Sequence, residues 1–567
     1  MRIPKPRGAR DVLKIATRKN AWIGGISVKP LKLRDIIGPI MVGPSSSHTA
    51  GALRIASMVR DLLQCNPVKA DFTLYGSFAQ TGRGHGTDKA LVAGMLGMHT
   101  DDLRIRNSFE AAREVGLEFT FKKDHAAKTP HPNTVDITAV GSNGSSVQAR
   151  GVSIGGGAAK LTRIDGMGVE VTGEFDAMVV RQTDTAGNLA HVAGCLSAEG
   201  INIGSVFMHR KRKGGDSFTV FEVDEPIPQP IIDRILERPT VASIRLIPAD
   251  GLNRQQRTNR PQKDADEAMA AFEALDFATA ARALDYCERN GIPLSEWVAR
   301  RERALAVALD TDPEETEAYL NRVLDVMRAS AVPPYRTEER SMGGLIGGEA
   351  AAMQAFAGTE FAAEHHACDR ELSLAATYSA AVLETNASMG LIVAAPTAGS
   401  SGVIPSVLLS LQKTRGLDDK RLKAALLNAE AVGLFITRNA TVSGAEGGCQ
   451  AEIGAASAMA ASAAVELLGG DARMCLRAAG TALSNSLGLV CDPVGGLVEV
   501  PCQKRNAMGA ANALVSAEFA LAGIPNLVPF DETVDALLRV GRSLPRELRE
   551  TALGGLATCP SACNLCG

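Results

Sequence analysis

The chain has few bulky side chains for its length, and this limits the kind of core that it can build. Aromatic residues make up 4% of 567 positions, while glycine alone supplies 56. Small residues let backbones approach closely, which favours tightly packed helices. A single hydrophobic core does not extend over a chain of this length. A prior of about 150 residues per domain therefore predicts three or four domains. We therefore expect a multidomain protein with a large helical part.

Three cysteines lie in segments that are almost free of bulky side chains: Cys449, Cys491 and Cys502. Glycine or proline stands near each thiol, so the backbone can approach whatever the sulfur atoms hold. Thiolates are soft ligands that suit zinc or iron–sulfur clusters, and three of them leave one metal position open. Their spacings of 42 and 11 residues match no short zinc motif, so buried core cysteines remain the alternative.

Composition argues against several partners and compartments. The net charge of −3 gives no overall attraction to nucleic acid. Residues 451–468, the longest run of low charge, carry Glu452 and Glu466 and predict a buried helix rather than a membrane span. Eleven cysteines without a recognisable secretory signal favour a reducing compartment. We therefore expect a cytoplasmic protein that binds neither nucleic acid nor membrane.

The pattern along the chain divides it into five parts. Residues 1–30 hold eight Lys or Arg and one acidic residue, which predicts a basic extension, with organellar targeting as the alternative. Residues 31–165 mix strands and helices and predict an α+β domain. Residues 173–248 follow a βαββαβ pattern, typical of a ferredoxin-like unit. Residues 249–266 predict a linker, and residues 267–567 an all-α domain.

Three polar clusters in residues 31–165 each place a histidine beside glycine or proline. The side chains that they offer are Ser45, His48, His85, His131 and Asn133. Imidazole titrates near neutral pH, as proton transfer requires. Each histidine alone fits a helix cap or a turn, but three such clusters in one domain predict a shared pocket.

A hydroxyl-rich loop, residues 395–405, places Thr397 and Ser400 just before a predicted helix. Hydroxyls and free N–H groups at the start of a helix suit a carboxylate. A simple capped turn is the alternative. Near the cysteines, the loop could hold the carboxylate of a substrate.

At this point the motifs resemble a known family, the iron–sulfur L-serine dehydratases. Residues 43–49, 84–88, 131–134 and 153–157 resemble the β domain of that family, and residues 395–405, 447–454, 491–502 and 550–556 resemble its helical α domain. Residues 173–248 resemble an ACT domain, a βαββαβ unit that commonly binds amino acids, often in pairs. Ala186 stands where ACT domains usually carry proline, so amino-acid sensing and a purely structural dimerisation role both remain open.

The resemblance implies an L-serine ammonia-lyase that converts L-serine to pyruvate and ammonia, and a homodimer. It implies that Cys449, Cys491 and Cys502 hold a [4Fe–4S] cluster whose open iron acts as a Lewis acid. The residues that match the family's catalytic positions are His48, His85 and His131, and which of them takes the proton stays open. The residues that would orient the substrate are Ser45, Asn133, Thr397 and Ser400.

The last residues add three more cysteines, Cys559, Cys563 and Cys566. Their CxxxCxxC spacing is that of a radical SAM cluster, but such a loop precedes most of a barrel and only Gly567 follows Cys566, so we do not expect that site. In some relatives a C-terminal cysteine reaches the open iron when substrate is absent. Cys566 resembles that position, with Cys563 as the weaker candidate and a frayed tail with spare thiols as the alternative.

Other functions remain as alternatives to the deamination of serine. The same site could act on cysteine or threonine. The chain could also be an amino-acid-sensing protein built on the ACT unit with an inactive catalytic part, although its histidine and cysteine motifs are intact. A pyridoxal-phosphate dehydratase would need a lysine Schiff base with a matching glycine loop, and the expected pattern is missing from the sequence.

Overall fold

The computed structural model describes residues 30–249, 262–335 and 340–563. An N-terminal α/β region with a mixed sheet is followed by a small four-stranded unit and then by a large helical region. Within the described residues, no helix is both long and apolar enough to span a membrane.

The N-terminal region is built on a six-stranded sheet. Its helices are α1 (Leu33–Ile36), α2 (Ala52–Leu63), α3 (Gly76–Thr81), α4 (Thr87–Met95) and α5 (Ser108–Glu114), and its strands are β1 (Ile40–Val42), β2 (Pro67–Tyr75), β3 (Glu118–Asp124), β4 (Asn133–Gly141), β5 (Ser146–Gly155), β6 (Ala158–Ile164) and β7 (Met167–Val171). The sheet order is β3-β2-β4-β5-β6-β7, with only the β2–β3 pair parallel. Because β7 ends at Val171, the sheet continues six residues beyond the predicted boundary at 165.

The second unit has the predicted βαββαβ order. It comprises β8 (Asp176–Thr183), α6 (Asn188–Ala198), β9 (Ile203–Arg210), β10 (Asp216–Val223), α7 (Gln229–Leu236) and β11 (Val241–Ile247). The antiparallel sheet has the order β11-β8-β10-β9. One face packs against α6 and α7 through Met178, Val180 and Phe221. The opposite face packs against the N-terminal region through Val179 and Phe218, so the two sheets share a core.

The third region is helical. Its helices are α8 (Gln262–Glu273), α9 (Ala280–Asn290), α10 (Leu294–Ala308), α11 (Glu315–Ala331), α12 (Glu349–Ala357), α13 (Glu360–His365), α14 (Arg370–Ala387), α15 (Val403–Arg415), α16 (Asp419–Asn439), α17 (Gly444–Gly447), α18 (Ala455–Leu467), α19 (Ala472–Asn485), α20 (Cys502–Leu521), α21 (Phe530–Ser543) and α22 (Pro560–Cys563). Helix α18 is buried at every residue except Glu466, as its run of small residues predicts. Helix α8 already covers the last five residues of the predicted linker.

Two features join the N-terminal and helical regions more closely than the sequence predicts. The helical region contains one short strand, β12 (Leu391–Val393), which pairs antiparallel with β1, so this region is not purely helical. Leu33 and Ile36 of α1 are buried in the core of the helical region. Helix α1 therefore packs in the core of the helical region, although it lies within residues 31–165, which the sequence assigned to the α+β domain.

Candidate active site

Two π-helical turns, one from each of these regions, build the site. Ser46–Gly51 leads into α2, and Gln450–Gly454 leads into α18. The wider π turn often occurs at functional sites because it displaces side chains from the regular helical ladder. Oγ of Ser45 accepts a hydrogen bond of 3.1 Å from the N–H of His48 and so caps the first turn. Oγ of Ser46 accepts one of 2.9 Å from the N–H of Ala398, across the boundary between the two regions.

His48 and His85 form a buried, stacked pair. Their ring centroids lie 4.5 Å apart, and both rings are excluded from solvent. Burial lowers the pKa of His85 to about 4, and burial together with the neighbouring His85 lowers the pKa of His48 well below its usual value. Both imidazoles are therefore neutral at pH 7.

The hydrogen bonds of His85 fix its tautomer. Its Nδ1–H donates to the carbonyl oxygen of Thr81 at 3.0 Å. In a neutral ring Nε2 then carries the lone pair. Nε2 is buried and has no hydrogen-bond partner among the described residues. His48 differs, because Ser77 lies 2.9 Å from its Nε2 and Ser47 lies 3.1 Å from its Nδ1.

The three predicted cysteine ligands converge on one cavity. Cys449, Cys491 and Cys502 are buried and line it together. The sulfur atoms of Cys449 and Cys491 and a carboxylate oxygen of Glu452 all lie within 4.8 Å of one another. The hydrogen bond with Cys449 and burial raise the pKa of the Cys491 thiol, and burial raises that of Cys502. A set of buried, closely spaced thiols is costly to ionise without a cation, so these donors fit a soft metal centre.

Two carboxyl groups complete the cavity. Burial raises the pKa of Glu452 to about 7, and its Oε1 accepts a hydrogen bond of 2.8 Å from Thr397. Burial and the neighbouring Glu452 raise the pKa of Glu550 to about 8. Oε1 of Glu550 lies 3.7 Å from Nε2 of His85 and 4.0 Å from Nδ1 of His48. Glu550 thus faces both histidines from the far end of the chain.

An ion pair between the partly buried Arg505 and the buried Asp492 lies beside the cysteines. Nη1 of Arg505 lies 2.7 Å from Oδ1 of Asp492 and 3.8 Å from the sulfur of Cys449. Sequence reasoning assigned no role to Glu452, Asp492, Arg505 or Glu550. A signal was available for three of them, because Glu452, Asp492 and Glu550 lie inside motifs of the family resemblance.

The structure brings some of the predicted site residues to the cavity and leaves others outside its lining. Ser45 and His85 line the cavity with the three cysteines, and Thr397 contacts Ser400 at 3.1 Å beside Glu452. Asn133 is buried at the start of β4, and its Oδ1 has no hydrogen-bond partner in the described part of the chain. His131 accepts a hydrogen bond from the N–H of Asn133, but it is only half-buried and does not line the cavity.

The predicted tail cysteines are placed only in part. Cys559 and Cys563 are exposed, and Cys566 lies outside the described residues.

Comparison with known proteins agrees with this division into two catalytic parts. The family model "Serine dehydratase beta chain" matches residues 35–162, and "Serine dehydratase alpha chain" matches residues 250–557. The chain therefore belongs to the serine dehydratase family, whose members are hydro-lyases, and it carries both regions on one polypeptide.

Curated relatives share this organisation in one chain or in two. An L-serine dehydratase of Streptomyces coelicolor is 29% identical over 531 residues, which cover 91% of this chain and 96% of the relative. The separate alpha chain of the L-serine dehydratase of Peptoniphilus asaccharolyticus is 43% identical over 279 residues, 49% of this chain and 93% of the relative. The beta chain of L-serine dehydratase from that organism is 39% identical over 210 residues, 37% of this chain and 95% of the relative.

Proposed function

We propose that this chain deaminates L-serine to pyruvate and ammonia with a [4Fe–4S] cluster held by Cys449, Cys491 and Cys502. The observation that carries the proposal is the convergence of three buried thiols and of His85, one member of the stacked neutral histidine pair, on one cavity. When bound, such a cluster supplies an open iron that acts as a Lewis acid towards the hydroxyl leaving group. A cluster with one open iron has three thiolate ligands, and three cysteines line the cavity.

His85 is the base in this proposal. Its Nε2 carries the free lone pair and lies in the cavity wall, whereas both ring nitrogens of His48 already have hydroxyl neighbours. Nε2 takes the α-proton of serine and passes it to the β-hydroxyl, whose bond to Cβ breaks, so that the hydroxyl leaves as water and the imidazole is neutral again. The aminoacrylate product tautomerises to an imine, and a second water hydrolyses the imine to pyruvate and ammonia. Each serine thus yields one pyruvate, one ammonia and no net consumption of water.

The hydroxyl-rich loops position the substrate in this proposal. Ser45 lines the cavity just before a π turn, and Thr397, which donates to the cavity-lining Glu452, lies 3.1 Å from Ser400. Asn133 offers an unpaired buried oxygen at the start of β4. The N-terminus of a turn and hydroxyl donors suit the carboxylate of serine, while carboxyl oxygens suit its ammonium group.

The direct test is formation of pyruvate from L-serine by protein that has been purified without oxygen and supplied with iron and sulfide. We expect activity in the natural chain and its loss in Cys491→Ala. Cys475→Ala is the matched control, because Cys475 is equally buried but lies in α19 away from the cavity lining. Equal activity in Cys491→Ala and the control would contradict the proposal. Comparing kcat/KM for serine, threonine and cysteine tests the substrate.

We further propose that residues 173–248 form an ACT domain between the β and α catalytic domains. The strand order β11-β8-β10-β9 and the two helices on one face support this. Arg238 donates to the carbonyl of Ala186 and to Oδ1 of Asn188, so the loop between β8 and α6 is already filled by a side chain of the same molecule. This supports a structural role. We expect titration calorimetry of His85→Ala with serine to show no binding to the ACT unit. Saturable binding at a site in addition to the candidate active site would contradict this role.

A cytoplasmic homodimer is the assembly that we propose. Strand β9 forms an outer edge of its sheet, and Val206, Phe207 and Met208 are exposed there. Its start lies beside the acidic residues Asp224 and Glu225, and its end leads into a basic turn, residues 210–213. Two antiparallel copies of this edge would place opposite charges together. Light scattering of Val206→Lys should show a monomer where the natural chain is a dimer.

The tail is the last part of the proposal. Helix α22 ends at Cys563 and packs beside the turn Val494–Gly496, which follows Cys491 closely in the chain. This position supports our proposal that Cys566 occupies the open iron when serine is absent. Cys566→Ser should change the spectrum of the substrate-free cluster and speed the onset of pyruvate formation after serine is added. Unchanged spectra and activation kinetics would contradict a role for Cys566.

A further inference from the structure

One arginine contacts the segments of all three cysteines. Arg505 lies one turn after Cys502 on α20, and its Nη1 is 3.8 Å from the sulfur of Cys449. The same nitrogen donates to the carbonyl oxygen of Val490 at 2.8 Å and to Oδ1 of Asp492 at 2.7 Å, on either side of Cys491. The two N–H groups of this nitrogen lie in the rigid plane of the guanidinium, so they fix the carbonyl of Val490 and the carboxylate of Asp492 relative to each other.

The other oxygen of Asp492 holds a second segment. Oδ2 accepts a hydrogen bond of 2.7 Å from the N–H of Leu556. Gly555 packs directly against this carboxylate, because a Cβ at that position would lie 2.3 Å from Oδ2. Gly555 also has φ +63°, which L side chains rarely adopt. Residues 548–556, named here the C-terminal strap, are thus fixed at one end by Asp492.

The other end of the strap is fixed to Cys491 itself. The N–H of Cys491 donates to the carbonyl of Leu548 at 2.9 Å, and the N–H of Glu550 donates to the carbonyl of Cys491 at 3.0 Å. Glu550 and Ala552 have φ of +59° and +55°, in the left-handed region. Such conformations persist only where the surroundings hold them. The strap therefore presents Glu550 to the two histidines in a geometry that its own local preferences disfavour.

We propose that Asp492 and Arg505 are positioning residues that couple the cysteine site to the histidine pair. Arg505 fixes the Cys449 and Cys491 segments relative to each other. Asp492, which is held by Arg505, in turn fixes the strap and with it the position of Glu550. The catalytic consequence rests on the proposed function, whereas the ordering of the strap does not. Neither residue lines the cavity.

Hydrogen exchange of the full chain, metal-free and after anaerobic loading with iron and sulfide, tests the coupling. In Asp492→Ala the amide of Glu550 should exchange about tenfold faster, although its acceptor, the carbonyl of Cys491, is untouched. Gly555→Ala should have the same effect by displacing the carboxylate. Asp136→Asn is the matched control, since Asp136 also pairs with an arginine, Arg150, at 2.6 Å but lies in β4 outside the cavity lining. Unchanged exchange of Glu550 in both strap variants would overturn the proposal.

A second measurement separates this inference from the proposed function. Arg505→Lys keeps the charge but loses the planar fork, so we expect a changed visible spectrum of the loaded cluster, faster loss of iron in air and about 100-fold lower kcat at similar KM. An unaltered spectrum, iron loss and kcat would overturn the role of Arg505. If the natural chain binds no iron but the strap variants still exchange faster, the proposed function fails and the coupling of Asp492 to the strap stands.

Discussion

Oε1 of Glu550 lies 3.7 Å from Nε2 of His85, although 465 positions separate the two residues in the chain. The C-terminal strap thus completes a site whose other walls come from the segment of Ser45, from His85 and from the cysteine loops. Both regions therefore contribute to the candidate site: His85 comes from the first region, and the carboxyl group that faces it comes from the second.

Replacing Glu550 should slow the reaction without unfolding the protein. We expect Glu550→Gln to lower kcat by about 100-fold, the lower range for loss of a group that assists proton transfer. Glu547→Gln is the control, because Glu547 lies just before the strap and is exposed. Steady-state kinetics on iron-loaded protein measure both variants. Equal kcat values for the two would show that Glu550 does not assist the histidines.

The two candidate bases should differ in their effect. His85→Ala removes the lone pair that faces the cavity, so we expect a loss of at least about 100-fold in kcat. His131→Ala should cost less than about tenfold, because His131 is half-buried and lies outside the cavity lining. Iron content, measured in parallel, shows that each variant still carries its metal. A larger loss of kcat in His131→Ala than in His85→Ala would indicate that His131, just before β4, is the base.

A buried carboxyl far from the site should control the pH dependence of stability. Glu430 in α16 is fully buried, and its oxygens have no hydrogen-bond partner among the described residues. Burial and the nearby Glu302 raise its pKa well above the usual value, against the opposing effect of Arg301; Asp35 raises it further. A raised folded pKa gives stability that is complete below about pH 4.5 and is lost as the pH rises through the folded pKa.

Glu430→Gln removes this titration. We therefore expect the variant to unfold at a higher Tm than the natural chain at pH 8, with a smaller difference at pH 5. Glu296→Gln, at a half-exposed carboxyl on α10, serves as the control. A gain in Tm that is larger at pH 5 than at pH 8 would contradict this sign.

The sequence predicted those parts of the fold that local patterns determine. The buried helix expected within residues 451–468 is α18, and the βαββαβ pattern of the second unit is present strand by strand. The sequence also predicted the three cysteines and His85, which line the cavity, because glycine-rich motifs around a reactive side chain are visible locally. Strand β12 could not be predicted, since three residues carry no periodic signal and their partner β1 lies about 350 positions away.

The roles of Glu550, Asp492 and Arg505 also required the structure. Their geometry depends on hydrogen bonds between segments distant in sequence and on a non-glycine residue with φ +59°. Sequence patterns favour glycine for such a conformation, so Glu550 resembled an ordinary helical or loop glutamate. His131 shows the converse: its local motif matched the others, but the turn before β4 leaves it half-exposed.

The central claim is that three cysteines hold a cluster on which deamination depends. Iron and acid-labile sulfide, measured per chain after anaerobic purification and followed together with pyruvate formation during exposure to air, test it most directly. We predict about four irons and four sulfides per chain, lost in parallel with activity. A colourless, iron-free protein that converts serine to pyruvate at an undiminished rate would contradict the account.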